Sequence, residues 1–279
     1  MRAMARLIAC AVMMCGAATA QTIDKIRDSG QLAIGFRTDA PPLSFLNDQG
    51  QPDGYSPQLC EGLAGAIATA LDLPDLEVNF VPVDTGDRFE RVASGEIDLH
   101  CGAATITLTR REIVDFSIPT YVDGTSIMIP VGGAKGLRDL AGKTVGLRSN
   151  TTTEQAVETS YQNAGLDIEI ERFTEHRLGV EALLSGEIDA YFADQSILMS
   201  YFLGGNLSDR MRILDDVLTI EKHGLALRRG DADFRQLVDT ELSRMYTTGK
   251  VQQIFAKTLP GAKPGLGLRA MFLIAPTQP

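Results

Sequence analysis

The densest chemistry in this chain lies in Cys101-Gly-Ala-Ala-Thr-Ile-Thr-Leu-Thr-Arg-Arg-Glu-Ile-Val-Asp-Phe-Ser-Ile-Pro119. Thr105 and Thr107 offer hydroxyls, and Thr109 is a candidate helix cap. Arg110 offers a planar fork of N–H donors that suits a carboxylate. On these residues alone two readings stay open. Arg110 binds an anion at a strand end, or it is a surface residue of a capped helix paired with Glu112. Nucleophilic and metal chemistry have little to work with. No Gly-x-Ser-x-Gly elbow and no His-Glu-x-x-His helix occurs. His100, His176 and His223 are far apart in sequence, and Cys60 and Cys101 cannot make a structural zinc site alone.

The elements that must position these residues alternate between strand and helix. Leu32-Ala-Ile-Gly-Phe36 reads as a strand, and Ser56-Pro57 as a helix start with Ser as the cap. Leu59, Leu63, Ile67 and Leu71 repeat at helical spacing. Leu76 to Val83 reads as a second strand, a helix is expected from about Arg88, and Ile97 to Cys101 reads as a third strand. The second half repeats the plan with strands at Thr144 to Leu147, Ile168 to Ile170 and Ile188 to Phe192. Ser94-Gly-Glu-Ile-Asp98 recurs literally as Ser185-Gly-Glu-Ile-Asp189, each copy ending a helix and starting a strand. This order predicts an α/β fold of two similar lobes with mainly parallel sheets. The tail, with the stripe Phe234, Leu237, Val238, Leu242 and Met245, cannot build a third lobe and is expected to return to the first. Two connections, near Tyr121–Thr125 and His223–Leu225, would then form a hinge below a cleft.

Bulk properties set the setting. The chain has 279 residues, a net charge of −10 and 44% hydrophobic residues. An acidic surface argues against nucleic acid as a partner. Arg2 and Arg6, an apolar run from Leu7 to Met14 and the end Ala18-Thr-Ala20 read as a secretory signal peptide over 1–20. The expected domains are therefore the signal at 1–20, lobe one at 21–122 and 224–279, and lobe two at 123–223. Cys60 and Cys101 survive cleavage, and outside the cytoplasm they are expected to form a disulfide.

The run Thr-Ile-Thr-x-x-Arg-x-x-x-Val-Asp-Phe-Ser-x-Pro from Thr105 resembles the signature of solute-binding family 3, the polar amino-acid-binding proteins of ATP-binding cassette importers. Gly54-Tyr-Ser56, Ala141-Gly-Lys-Thr-Val-Gly146 and Ala193-Asp-Gln195 match as well, and the likeness runs from about Ile23 to the last helices. It is greatest to glutamate/aspartate-binding members. The resemblance implies the two-lobed periplasmic binding protein fold (type II), a free L-amino acid as ligand, a permease as partner and no cofactor. It implies a periplasmic protein that acts as a monomer.

Residue by residue, the resemblance places an α-carboxylate on Arg110 and on the turn ending Thr151-Thr152. That turn precedes a helix, whose N–H groups favour an anion by themselves. The α-ammonium falls to Asp194, the Thr105 hydroxyl and the Ala103 carbonyl, where Asp194 could instead be a helix cap. Arg37 aligns with an arginine that reads a distal carboxylate and Arg88 with a second arginine of those proteins, unless they pair locally with Asp39 and Asp87. His176 matches a further contact. Arg148 departs from the family pattern and is either an extra cationic contact or solvent-facing. The expected ligand is thus glutamate or aspartate. The alternatives are a neutral polar ligand such as glutamine or asparagine, or a secreted prephenate/arogenate dehydratase-like enzyme. Asp194 is the one strong cleft carboxylate for acid catalysis, and an ammonium partner explains it without catalysis.

Overall fold

The computed structural model describes residues 21–215 and 217–277; the expected signal peptide lies outside them. The first half contains α1 (Thr22–Ser29), β1 (Gln31–Arg37), β2 (Asp39–Ala40), β3 (Ser44–Leu46), β4 (Pro52–Asp53), α2 (Tyr55–Leu71), β5 (Glu77–Val83), α3 (Arg88–Ala93), β6 (Leu99–His100), β7 (Val114–Phe116) and β8 (Tyr121–Asp123). There follow β9 (Thr125–Pro130), β10 (Thr144–Arg148), α4 (Thr152–Ala164), β11 (Glu169–Phe173), α5 (His176–Ser185), β12 (Ala190–Asp194), α6 (Gln195–Gly204) and β13 (Met211–Ile213). The chain ends with β14 (Glu221–His223), β15 (Ala226–Arg228), α7 (Ala232–Thr247), α8 (Lys250–Thr258) and α9 (Leu266–Ile274).

Two five-stranded sheets carry the lobes, ordered β5-β1-β6-β15-β7 and β11-β10-β12-β9-β13. In each, the first three strands run parallel, and antiparallel strands complete the sheet. Between the sheets, β8 and β14 pair antiparallel, with Glu221 opposite Asp123 and His223 opposite Tyr121. The two connections between the lobes therefore run side by side, the arrangement of a two-stranded hinge.

The literal repeat does the same work in both lobes. Gly95 and Gly186 both sit at positive φ, at 78° and 83°, where a side chain would be strained. The following Asp then pins the sheet: Asp98 donates to Ala33 O and accepts from Ala33 N, and Asp189 does the same with Thr144. That pinning also shortens the third strand. Ile97 and Asp98, expected within it, form the turn, and β6 is only Leu99–His100.

The first core joins Leu59, Leu63 and Ile67 of α2 to Leu32 and Ile34 of β1 and to Phe234, Val238 and Leu242 of α7, all fully buried. Burying each of these side chains contributes roughly 1.5–3 kcal/mol. The start of α2 differs from the expected Ser cap. Gly54 is the N-cap at φ 111°, and the Tyr55 and Ser56 N–H groups donate to Pro42 O and Leu43 O. A Cβ on residue 54 would stand 2.8 Å from Pro42 O, so only glycine allows this approach. Cys60 of α2 and Cys101 after β6 form a disulfide, with Cα atoms 6.3 Å apart, which ties helix to sheet within this core.

Candidate functional site

The C-terminal ends of the strands face one another across the hinge and enclose a narrow cavity of about 20 Å³. Its walls are Arg37, Arg88, Ala103, Thr105 and Arg110 on one side and Thr151, Thr152, Thr153, His176, Asp194 and Ile197 on the other. Nine of the ten residues singled out in the sequence thus meet around one cavity. Arg148 is the tenth and does not line it. An amino acid is too large for this space, so its entry requires the lobes to part or side chains to move.

One pole of the cavity is cationic. Arg37, at the end of β1, already has a partner: its Nη2 and Nε lie 2.5 and 2.8 Å from Asp39 Oδ1. The expected local pairing of Arg88 with Asp87 does not occur. Arg88 is 1% exposed, lies 4.6 Å over the Phe89 ring, and has no partner among the described residues for Nε and Nη1. Burial, and then Arg37, Arg110 and Arg148 around it, push this guanidinium well down from its ordinary value. Arginine does not give up its proton in a protein, so the site is left needing an anion. Arg110 also lies over the Phe89 ring, 5.0 Å from its centroid, and donates from Nη1 to Thr105 O at 2.8 Å. It makes no ion pair with Glu112. The expected Thr109 cap is also absent; Thr107 Oγ1 accepts from the Arg110 N–H instead.

The other pole is anionic. Asp194 holds the N-cap position of α6, yet its side chain makes no cap bond. Burial, then Asp123 and Glu221, raise its carboxyl well above the usual carboxylate range. Asp123 is pushed up to about 6, mainly by burial. His223 Nε2 lies 3.6 Å from Asp194, but burial lowers this imidazole to about 4, so it stays neutral and offers no counter-charge. His176 is also neutral: burial brings it down to about 3, and its Nδ1 sits 3.0 Å from the Tyr191 hydroxyl.

Arg148 is neither a cavity contact nor solvent-facing. At the end of β10 it crosses to the first lobe, with Nε 2.9 Å from Asp39 and Nη2 2.7 Å from Asp84. Burial alone would raise Asp39, but the Arg37 and Arg148 guanidiniums beside it hold its carboxyl below the ordinary range.

A model of the bacterial extracellular solute-binding proteins, family 3, matches residues 32–260. The chain belongs to that family. This solute-binding protein is 28% identical over 256 residues to the glutamate/aspartate import solute-binding protein of Salmonella typhimurium, covering 91% of this chain and 85% of that one. It is 24% identical over 238 residues to the L-cystine-binding protein TcyJ of Escherichia coli, covering 84% and 85%. Among solved structures, the arginine-bound form of truncated ArgBP from T. maritima superposes with a TM-score of 0.69 at 26% identity, covering 80% of this chain and 99% of that one. These relatives are named for binding rather than catalysis.

Sequence reading did not single out Thr153, Ile197 or Glu221. Thr153 extends the Thr151-Thr152 turn by one residue. Glu221 lies behind the cavity, where it accepts from Thr105 Oγ1 at 2.5 Å, Thr152 Oγ1 at 2.7 Å, Thr219 Oγ1 at 2.6 Å and Thr125 Oγ1 at 3.2 Å. Among the described residues no cluster of His, Cys, Asp or Glu could hold a metal ion, and no helix is long and apolar enough to cross a membrane.

Proposed function

We propose that this chain captures a free acidic amino acid, glutamate or aspartate, between its lobes and delivers it to the permease of an ATP-binding cassette importer. The observation that carries the reading is the buried Arg88 guanidinium, which lines the cavity and has two nitrogens without partners among the described residues. A zwitterion answers Arg110 with its α-carboxylate and Asp194 with its α-ammonium. Arg88 then still needs an anion, which an acidic side chain supplies. A cationic side chain would meet like charge there. In this reading Arg110 and the N–H groups opening α4 hold the α-carboxylate. Asp194, Thr105 and the Ala103 carbonyl hold the ammonium, and Arg88, with Arg37 and His176, holds the distal group.

We divide the lobes at 21–122 with 224–279 and at 123–223. Ligand contacts both lobes only when they are closed, so binding biases the hinge toward closure. The protein works as a monomer in the periplasm, where an oxidising environment sustains the Cys60–Cys101 disulfide. One observation favours a second ligand class. Arg37 is paired with Asp39, which removes one cation from the distal pole and suits a neutral amide such as glutamine or asparagine. Calorimetry with L-glutamate on the wild type and on Arg110→Ala tests the site. The variant should show no binding, and full binding by it would refute the assignment.

A further inference from the structure

Four threonines line the cavity, and the structure accounts for the hydroxyl proton of each. Thr151 donates to Arg148 O at 2.8 Å. Thr105 and Thr152 both point at Glu221 Oε2, at 2.5 and 2.7 Å. An ionised carboxylate can only accept, so both hydroxyls must donate to it. Thr125 likewise donates to Glu221 Oε1 at 3.2 Å. The 3.1 Å contact between Thr125 and Thr153 therefore takes its proton from Thr153. No hydroxyl proton remains for the cavity. The Thr105 and Thr152 oxygens stand 3.1 Å apart with only lone pairs to present.

Glu221 can do this because of its place. It opens β14 at the hinge, is 5% exposed, and reaches Thr105 of the first lobe and Thr125, Thr152 and Thr219 of the second. Burial alone would raise its carboxyl, but hydrogen bonds from Thr105, Thr219 and Thr152 hold it below its ordinary value.

We infer that Glu221 is a positioning residue: it draws the protons of Thr105, Thr152 and, through Thr125, Thr153 away from the cavity. The hydroxyl wall then accepts hydrogen bonds from an ammonium and offers none to a carboxylate. This fixes which end of an amino acid enters at Asp194. The inference rests on the amino-acid reading above and names a residue outside the cavity as a determinant of it. With Gln at 221, the amide N–H₂ must donate to a threonine, and the proton released turns toward the cavity.

The test pairs L-glutamate with glutarate, which keeps both carboxylates and lacks the amine. Calorimetric titration of wild type should show L-glutamate bound far more tightly than glutarate. Glu221→Gln should weaken L-glutamate by roughly 10- to 100-fold, the loss of a charge-assisted hydrogen bond, with glutarate unchanged. Thr105→Val, which removes an acceptor without changing the carboxylate, should show the same selective loss and serves if the first variant does not fold. Equal weakening of both ligands, or no change in either, would overturn the inference and leave the amino-acid reading standing. If wild type binds L-glutamine instead, the same comparison with its des-amino analogue decides. Wild-type protein that binds no free amino acid would overturn both.

Discussion

Replacing Arg88 by Met should move stability and binding in opposite directions. The side chain is 1% exposed, and its Nε and Nη1 lack partners among the described residues. A buried unsatisfied polar group costs about 1–3 kcal/mol, more when charged. Met keeps an unbranched apolar stem and removes that cost. Against this stand the long Nη2 hydrogen bond to Asn150 O at 3.4 Å and the contact over the Phe89 ring at 4.6 Å, the latter worth about 0.5–2 kcal/mol. The desolvated charge outweighs the ring contact, so the ligand-free variant should gain about 1–2 kcal/mol, a rise in Tm of roughly 2–6 °C. Binding of L-glutamate should lose the partner of its distal carboxylate. Removing one side of a buried charge pair costs about 2–5 kcal/mol, which raises Kd by roughly 30- to 5,000-fold. Thermal unfolding without ligand and calorimetry with L-glutamate measure the two effects separately. A variant less stable than wild type without ligand, or one that keeps its affinity for L-glutamate, would refute the view that Arg88 is held in wait for an anion.

Binding should also release protons. Asp194 is raised in the free protein by burial and by Asp123 and Glu221, and a bound ammonium stabilises its ionised form. Affinity should therefore fall as pH drops through the raised value, and calorimetry in buffers of differing ionisation enthalpy should report proton release; proton uptake would contradict this. The disulfide closes a stretch with a sequence separation of 41, and its loss in Cys60→Ala/Cys101→Ala should cost roughly 4 kcal/mol in the loop-entropy view. Alkylation of both cysteines in unreduced, unfolded protein, read by intact mass, would refute the bridge. Arg148→Gln should loosen the closed form, since it removes a buried contact to Asp39; the arm to Asp84, which is 59% exposed, adds little. X-ray scattering should show a larger radius for the ligand-free variant, and an unchanged radius would contradict a role for Arg148 in closure.

The alternation of strand and helix and the repeat at Ser94–Asp98 and Ser185–Asp189 made the two-lobed fold legible, because each feature is local. Site residues on strand ends and helix starts were legible for the same reason once the family likeness placed them. Partners chosen in three dimensions were not. Asp84 and Asp39 receive Arg148 from a strand more than sixty residues further along the chain, and no spacing rule links them. Glu221 sits in Glu221-Lys222-His223, which reads as a short charged connection, and its hydroxyl partners are scattered from Thr105 to Thr219. The expected crossing near His223 was a usable signal: a carboxylate on a hinge strand must meet polar groups of both lobes. Helix starts misled for a related reason. Ser56 carries a good capping side chain, but carbonyls of Pro42 and Leu43 reach the first N–H groups instead.

The central claim is that the cavity's uncompensated cation selects an acidic ligand. Calorimetric titration of the intact protein with a panel of free amino acids, L-glutamate, L-aspartate, L-glutamine, L-asparagine, L-cystine and L-arginine, tests it most directly. The account predicts that L-glutamate or L-aspartate binds most tightly and that L-arginine binds most weakly. Tighter binding of L-glutamine or L-arginine than of both acids would contradict it.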